Sequence, residues 1–151
     1  MLAYVRERVG MHGLAVFGCF DISHPGHDQH LREARRYGGF VLVCVESDET
    51  IALNKGPGRP VNTQLDRMHM MAANTNVGAV VGLQGTISYD DAAAHIQRYR
   101  NVGWDIAVPY NDPYYDLKMR QALDANIGAI PIYMPLTPHS TTSIIERIAR
   151  G

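Results

Sequence analysis

The chain has 151 residues, which is enough for one domain with a single buried core. Its formal net charge of −1 provides no general basic field for nucleic acid, and no apolar stretch approaches the length that crosses a bilayer. The first ten residues carry Arg6, Glu7 and Arg8 without an apolar run, so we expect no signal peptide and a cytoplasmic protein.

Strand and helix patterns alternate from the start of the chain. Gly13–Phe20 predicts a buried strand, and Gly26–Tyr37 predicts a helix that a pair of glycines ends. Phe40–Glu46 is a continuous apolar run, typical of a strand that is covered on both faces. Cys19 and Cys44 fall in these strands without metal-ligand spacing, so we expect reduced thiols.

Two helices and a third strand follow. A short helix that begins near Ser47 is predicted to end near Leu53, and the glycines and prolines of residues 55–60 predict a loop. Thr63–Asn74 predicts a helix, and Ala79–Leu83 predicts a strand.

The second half of the chain continues the alternation. The elements predicted there are the helix Asp90–Val102, the strand Trp104–Val108 that ends before Pro109, the helix Tyr115–Ile127 that Gly128 stops, the strand Ala129–Tyr133 and the helix Thr142–Arg150. The whole pattern predicts an α/β fold with a Rossmann-like, five-stranded parallel sheet and helices on both faces, in one domain over residues 1–151.

Four polar segments follow predicted strands. His24, Asp112 and Ser140 come soon after a strand, and Lys55 comes after a strand and a short helix. In a parallel sheet, ligands bind beyond the carboxyl ends of the strands, near the point where the strand order reverses. We therefore expect these four segments to converge on one edge of the sheet.

Two histidines three residues apart, His24 and His27, stand where the first strand gives way to the first helix. Gly26 between them lets the backbone approach a ligand closely, and the helix start presents free N–H groups. A triphosphate is bound by such donors, so both imidazoles are predicted to stabilise phosphate oxygens in a transition state. Alternatively, His24 only caps the turn and His27 lies on the helix surface.

The run FGCFDISHPGH over residues 17–27 resembles the G-x-F-D-x-x-H-x-G-H signature of the cytidylyltransferase-like nucleotidyltransferases. This resemblance implies an NTP-dependent transferase that releases pyrophosphate, uses Mg²⁺ carried by the triphosphate and often forms a homodimer. It also implies nucleotide contacts from the signature residues Gly18, Cys19, Phe20, Asp21 and Gly26. Asp21 is as well suited to orienting the turn.

The segment NKGPGRPVN over residues 54–62 places Lys55 on a mobile loop, where its ammonium can move over a bound triphosphate. With Asp66-Arg67-Met68 after it, the segment resembles a loop in the adenylyltransferase domain of bacterial ADP-heptose synthases. The resemblance implies that Lys55 is catalytic and that Arg59 and Arg67 bind the nucleotide. Otherwise Lys55 is a surface lysine and Arg67 a cation on a helix face.

Hydroxyl side chains precede the last helix. Ser140, Thr141 and Thr142 can form an anion site with the free N–H groups there, or can simply cap the helix. The run STTSIIERI resembles the family's S-T-T-x-I-I-x-x-I ending, which implies phosphate contacts for the three residues.

Asp112, after the fourth strand, could accept the exocyclic amine of cytosine or adenine, or could form an Asx-turn.

The region before the last helix departs from the relatives. ADP-heptose synthases carry K-G-G-D-Y where this chain has PYNDPYY over residues 109–115, and that change argues against a heptose phosphate acceptor. The run PLT over residues 135–137 resembles the P-R-T of glycerol-phosphate cytidylyltransferases, with Leu136 in place of the arginine. The residues predicted either to line an acceptor pocket or to form a packed edge are Tyr110, Tyr114, Tyr115 and Arg120.

The sequence therefore predicts a nucleotidyltransferase that transfers CMP from CTP to a small phosphate- or phosphonate-bearing acceptor, without a metal site built from protein ligands and without a nucleic-acid or membrane partner. The P-x-T run over residues 135–137, followed by the S-T-T ending, places CTP first. The loop at Lys55 makes ATP and a sugar-phosphate acceptor the alternative. Two other candidates are a nucleotide-binding module that has lost catalysis and a short pantetheine- or nicotinate-type adenylyltransferase. The first is suggested by Leu136 and by the altered segment over residues 109–115.

Overall fold

A computed structural model describes residues 12–134 and 140–150, which form five strands and six helices. The strands are β1 (Gly13–Gly18), β2 (Phe40–Val45), β3 (Ala79–Gly82), β4 (Asp105–Pro109) and β5 (Ala129–Ile132). The helices are α1 (Pro25–Gly38), α2 (Asp48–Lys55), α3 (Gln64–Ala72), α4 (Ala92–Val102), α5 (Tyr115–Asp124) and α6 (Thr141–Ala149). Leu136, one of the two features that suggest lost catalysis, lies outside the described residues.

The five strands form one parallel sheet in the order β3-β2-β1-β4-β5, which confirms the predicted α/β architecture. The chain builds outward from β1 to β3 and then returns to the other side of β1, so the strand order reverses between β1 and β4. These two strands pair only at Leu14 with Asp105 and at Ala15 with Ile106. They separate beyond that point, at the place where sheets of this kind bind ligands.

Helices cover both faces of the sheet, as the sequence predicts. Leu31 of α1 and Met71 of α3 are buried with Val43 on one face. On the other face, Tyr99 of α4 and Ala122 of α5 belong to a second buried cluster. The central strands β1, β2 and β4 are buried on both sides because of these two layers, which explains the continuous apolar sequence of β2.

Several element boundaries differ from the sequence prediction by one to three residues, and three of these differences bear on the site or have a clear physical reason. Helix α2 continues past Leu53 to Lys55, so this lysine belongs to a helical turn and not to a mobile loop. Strand β4 includes Pro109, which has no N–H of its own. The pairing with β5 continues because the next N–H, that of Tyr110, donates to the carbonyl of Ile132. Helix α5 ends at Asp124, where Asn126 adopts a left-handed φ of 59° that stops the helix before Gly128.

Candidate active site

A cavity of about 340 Å³ lies where β1 and β4 separate. It is lined from both layers of helices and from the loops at the carboxyl edge of the sheet. The sequence-predicted site residues that line it include Gly18, Cys19, Phe20, His27, Lys55 and Asp112. Three of the four segments predicted to converge therefore meet at one cavity, whereas the segment that begins at Ser140 does not line it.

The loop after β1 follows a constrained path into α1. Phe20 and Ile22 adopt left-handed φ angles of 52° and 50°, which are costly for residues with large side chains. The ring of Phe20 is buried, and its centroid lies 5.3 Å from that of His27. Packing of this ring therefore helps to hold the strained loop and the adjacent imidazole together.

The two predicted histidines have different roles in the structure. His24 is the N-cap of α1, and its Nδ1 accepts a hydrogen bond of 3.2 Å from the N–H of Gly26. Its ring stacks on that of His27 with the centroids 3.9 Å apart. His27 lines the cavity, and burial, followed by the nearby His24 and His30, lowers the pKa of His27 to about 3. His27 is consequently a neutral imidazole with an N–H to donate.

Asp21 connects three segments of the site. Its buried carboxylate accepts hydrogen bonds from the guanidinium of Arg59 at 3.0 Å and from the N–H groups of Val61 and Asn62 at 3.0 and 3.1 Å. Burial alone would raise the pKa of Asp21, but these donors lower it below the ordinary value. The carbonyl of Asp21 also accepts from the hydroxyl of Thr141 at 2.7 Å. Asp21 therefore orients the turn, as one of its two interpretations predicts.

Arg67 is a buried cation that holds loops in place. Its guanidinium donates to the carbonyls of Cys19, Glu46 and Asn62 at 2.5, 2.8 and 3.1 Å, and to the carboxylate of Asp48 at 2.6 Å. Its side chain is 1% exposed. The sequence analysis predicted that Arg67 either binds the nucleotide or is a cation on a helix face. Because its guanidinium is buried and bonded to four protein groups, we assign Arg67 a positioning role instead.

The start of α6 lies against the β1 loop. Ser140 and Ser143 form a reciprocal capping box, in which each side-chain oxygen accepts from the backbone N–H of the other residue. Thr141 donates to the carbonyl of Asp21, and Thr142 is exposed. Ser140 therefore caps the helix, which is one of the two predicted roles. The hydrogen bond from Thr141 holds the start of α6 against the edge of the sheet that carries the histidines.

Helix α5 presents a second lysine to the cavity, one that the sequence analysis did not single out. Tyr114, Leu117, Lys118 and Gln121 line the cavity at the spacing of one helical face. The ammonium of Lys118 lies 2.5 Å from a carboxylate oxygen of Asp112, whose other oxygen accepts from the N–H of Tyr114 at 2.7 Å. Asp112 thus starts the helix by a local turn, as its Asx-turn interpretation predicts.

The other three predicted acceptor residues lie outside the cavity wall. Tyr110 is 66% exposed, and its ring packs on that of Tyr115 with centroids 5.0 Å apart. Arg120 is exposed on α5. Of the predicted set, only Tyr114 lines the cavity. The helical period explains the difference, because Tyr115 and Arg120 are out of phase with the face that carries Tyr114 and Lys118.

The cavity wall contains further ionisable groups that the sequence analysis missed. His30 and His95 line it, and burial lowers the pKa of His30 to about 4. Glu46 also lines it and forms a buried ion pair of 2.7 Å with Arg98. Two sequence features could have indicated these residues. His30 follows His27 by three residues on α1, and Glu46 directly follows β2.

Tyr89 reaches the cavity from a long connection between β3 and α4. Its backbone N–H donates to the side chain of Asn54 at 2.8 Å, and its hydroxyl lies 3.2 Å from the thiol of Cys19. Burial raises the pKa of both the Tyr89 hydroxyl and the Cys19 thiol. Both groups are therefore neutral, and they offer hydrogen bonds rather than charge.

Residues 12–134 and 140–150 contain no group of three or more histidine, cysteine, aspartate or glutamate side chains arranged to hold a metal ion. Within the same ranges, every helix is too short or too polar to cross a membrane.

Comparison with known proteins gives one family. A family model described as cytidylyltransferase-like matches residues 15–147. The bifunctional protein HldE of Methylococcus capsulatus is 35% identical over 145 residues, which cover 96% of this chain and 30% of that protein. The chain spans less than a third of the length of such curated relatives.

Two solved structures share the fold. A lipopolysaccharide core biosynthesis protein from Thermoplasma volcanium aligns with a TM-score of 0.67 at 20% identity, covering 85% of this chain and 99% of that chain. The pantothenate synthetase of Thermus thermophilus aligns with a TM-score of 0.59 at 16% identity, covering 92% of this chain and 61% of that chain. The five-stranded α/β architecture is therefore common to all three chains.

Proposed function

The chain belongs to the cytidylyltransferase-like family and is a nucleotidyltransferase, and from that premise we propose that it transfers AMP from ATP to a small acceptor of the sugar-phosphate type, with release of pyrophosphate. ATP replaces CTP as the first choice because the HldE relatives favour the adenylyl alternative. The loop after Lys55, which resembles that of the ADP-heptose synthases, supports the same choice.

The observation that carries this proposal is the shared cavity of His27 and Lys55, with the start of α6 tied to the same loop by Thr141. In the proposed reaction, an oxygen of the acceptor phosphate attacks the α-phosphorus of ATP in line. The bond from that phosphorus to the bridging oxygen breaks, and its electron pair leaves with pyrophosphate. The protein supplies no covalent nucleophile, so positioning and stabilisation of negative charge account for the rate.

Each part of the site has a role in this scheme. His24 and His27 donate hydrogen bonds to oxygens of the reacting phosphate, and Lys55 neutralises the charge that develops on the α- and β-phosphates. Gly18 lies on the cavity wall, where the missing Cβ makes room for the ring of Phe20. Gly26 lets the backbone approach the nucleotide closely, and the N–H groups at the starts of α1 and α6 add donors. The residues that position this set are Phe20, Asp21, Arg59 and Arg67.

Mg²⁺ fits the site as an ion that arrives with the triphosphate. The described residues offer no cluster of protein ligands for it, whereas the phosphate oxygens of ATP are hard ligands of the kind that Mg²⁺ prefers. When bound, the ion neutralises charge on the leaving pyrophosphate. A homodimer in the cytoplasm remains part of this proposal.

The test is a pyrophosphate-release assay with MgATP or MgCTP and a panel of sugar phosphates. We expect turnover with ATP and at least one sugar phosphate, and a loss of about 100-fold or more in kcat/KM for Lys55→Met. Arg36→Met, which removes an exposed cation of α1, is the matched control and should retain the rate. Turnover with CTP in preference to ATP, or an unchanged rate for Lys55→Met, would contradict the proposal.

A further inference from the structure

Helices on both faces of the sheet contribute buried polar atoms to the cavity that lack a protein partner among the described residues. They are Nε2 of His30, Nε2 of His95 and Nε2 of Gln121, and all three side chains line the cavity. His30 is 9% exposed and Gln121 is 3% exposed. We call these three residues the inner wall. Burial of an unpaired polar group is costly, so three such atoms beside one cavity point to a ligand that supplies their partners.

The inner wall offers both kinds of hydrogen-bonding atom. Contacts with the backbone of Ala107 and of Ser88 raise the pKa of His30 and of His95, against the larger effect of burial. A backbone group that favours the protonated ring is a carbonyl, which accepts a hydrogen bond from one ring nitrogen. In the neutral ring the other nitrogen, Nε2, is then an acceptor. The side-chain nitrogen of Gln121 is a donor. Hydroxyl groups match such a wall because they donate and accept, whereas an alkyl chain does neither.

A cation stands beside the inner wall. The chain contains only two lysines, Lys55 and Lys118, and both line this cavity. Burial lowers the pKa of His30 and of His95, and the charge of Lys118 acts in the same direction on both. Its ammonium keeps further N–H donors beyond the bond to Asp112, and a compact charge on a flexible stem suits a phosphate.

The carboxylates nearby do not oppose an anion strongly. Asp112 is paired with Lys118 at 2.5 Å. Glu46 is paired with Arg98 at 2.7 Å, in a site where both side chains are less than a tenth exposed. Each negative charge that faces the cavity here is therefore matched by a cation before a ligand arrives.

Building on the proposed function, we propose that the inner wall and Lys118 form the acceptor site, which selects a hydroxyl-bearing phosphate monoester. Lys118 binds the phosphate, and His30, His95 and Gln121 bind the hydroxyl groups. The nucleotide then occupies the side of the cavity that carries His27 and Lys55, and the two lysines hold the two reacting phosphates. An acceptor with an apolar body is disfavoured because it would leave the inner wall unpaired.

The test measures binding, so it does not depend on turnover. Calorimetry would measure the affinities of mannose 1-phosphate, ribose 5-phosphate and glycerol 3-phosphate, and of n-hexyl phosphate, whose alkyl chain carries no hydroxyl groups. Each is measured with and without the α,β-methylene analogue of ATP. We expect at least one hydroxylated phosphate to bind tenfold or more tightly than n-hexyl phosphate. Gln121→Leu and His95→Phe should each reduce that preference at least fivefold, while Lys118→Met should weaken all the phosphates.

The controls separate this inference from the proposed function. Gln97→Leu makes the same replacement on the exposed face of α4 and should leave every affinity unchanged. The variants of the inner wall should change the affinity for the ATP analogue less than twofold. Equal or tighter binding of n-hexyl phosphate, or a preference that survives both variants, would overturn the inference. Failure of the ATP analogue to bind would instead overturn the proposed function.

Discussion

The chemistry of the site depends on an imidazole that is uncharged at neutral pH. Because burial lowers the pKa of His27 to about 3, its ring donates a hydrogen bond without contributing a full charge in the free protein. Removal of one such donor from a developing oxyanion costs about 10²- to 10³-fold in kcat. We therefore expect His27→Ala to lower kcat by that factor in a pyrophosphate-release assay.

The control for this variant is His69→Ala, which removes an exposed imidazole from the last turn of α3. It should keep both the rate and the melting temperature of the original protein. A His27→Ala variant that folds normally and turns over at the original rate would exclude His27 from the transition state.

The same kind of burial makes stability depend on pH. His30 has a pKa of about 4 in the folded state, below the value of about 6.5 expected when it is unfolded. Between these values the unfolded chain binds a proton that the folded chain does not, so stability is lost as the pH falls through this window. For His30 the loss between pH 6.5 and 5 is about 2 kcal/mol.

Replacement of His30 tests this dependence. The unfolding free energy should fall between pH 6.5 and 5, and we expect this fall to be smaller by about 2 kcal/mol in His30→Gln than in the original protein. Urea denaturation at each pH measures both values. His69→Gln, at the exposed position on α3, is the control and should leave the pH dependence unchanged. An identical pH profile for His30→Gln and the original protein would show that His30 is not buried as a neutral group.

At the scale of elements, the carboxylate of Asp21 holds the β1 loop to the segment after α2, whereas the start of α6 is bound by the backbone carbonyl of the same residue. An asparagine at this position keeps the size of the side chain but has one acceptor oxygen where the carboxylate has two, and it loses the charge that pairs with Arg59. We expect Asp21→Asn to lower the unfolding free energy by about 2–4 kcal/mol and to raise the KM for ATP.

Asp116→Asn, an exposed change in the first turn of α5, is the control for the charge alone and should have little effect. Urea denaturation and steady-state kinetics give the two readouts. If Asp21→Asn lost stability but kept the KM for ATP, the β1 loop and the segment after α2 would not need this carboxylate to form the nucleotide site.

The elements show which parts of the site a sequence can reveal. The histidine signature and the alternation of strands and helices are local patterns, so they predicted the sheet and the edge at which His27 and Lys55 meet. They did not predict that Lys55 lies in the last turn of a helix. The face of α5 with Lys118 and Gln121 has a regular helical spacing, but its direction depends on packing against β4. The burial of Arg67 could not be predicted, because its four acceptors come from segments up to 48 residues away.

At the scale of the whole molecule, the topology creates the cavity. The reversal of strand order leaves β1 and β4 paired at only two positions, and helices from both faces of the sheet contribute side chains to the gap. The sequence predicted convergence at this edge from the order of its elements. It could not predict the volume of the cavity or its unpaired polar atoms, because these result from the separation of two strands that are far apart in the chain.

The choice between ATP and CTP can be tested on the folded molecule as a whole. A ligand at 100 times its Kd stabilises the folded state by about 2.7 kcal/mol, which corresponds to a rise of about 5–10 °C in Tm for a chain of this length. Both nucleotides carry the same triphosphate, so any difference between them at equal concentration comes from the base. We expect MgATP to raise Tm more than MgCTP in a thermal-shift experiment, with magnesium tripolyphosphate as the control that lacks a base. A larger shift with MgCTP would instead restore the cytidylyl assignment, because the ligand with the greater ratio of concentration to Kd stabilises the fold more.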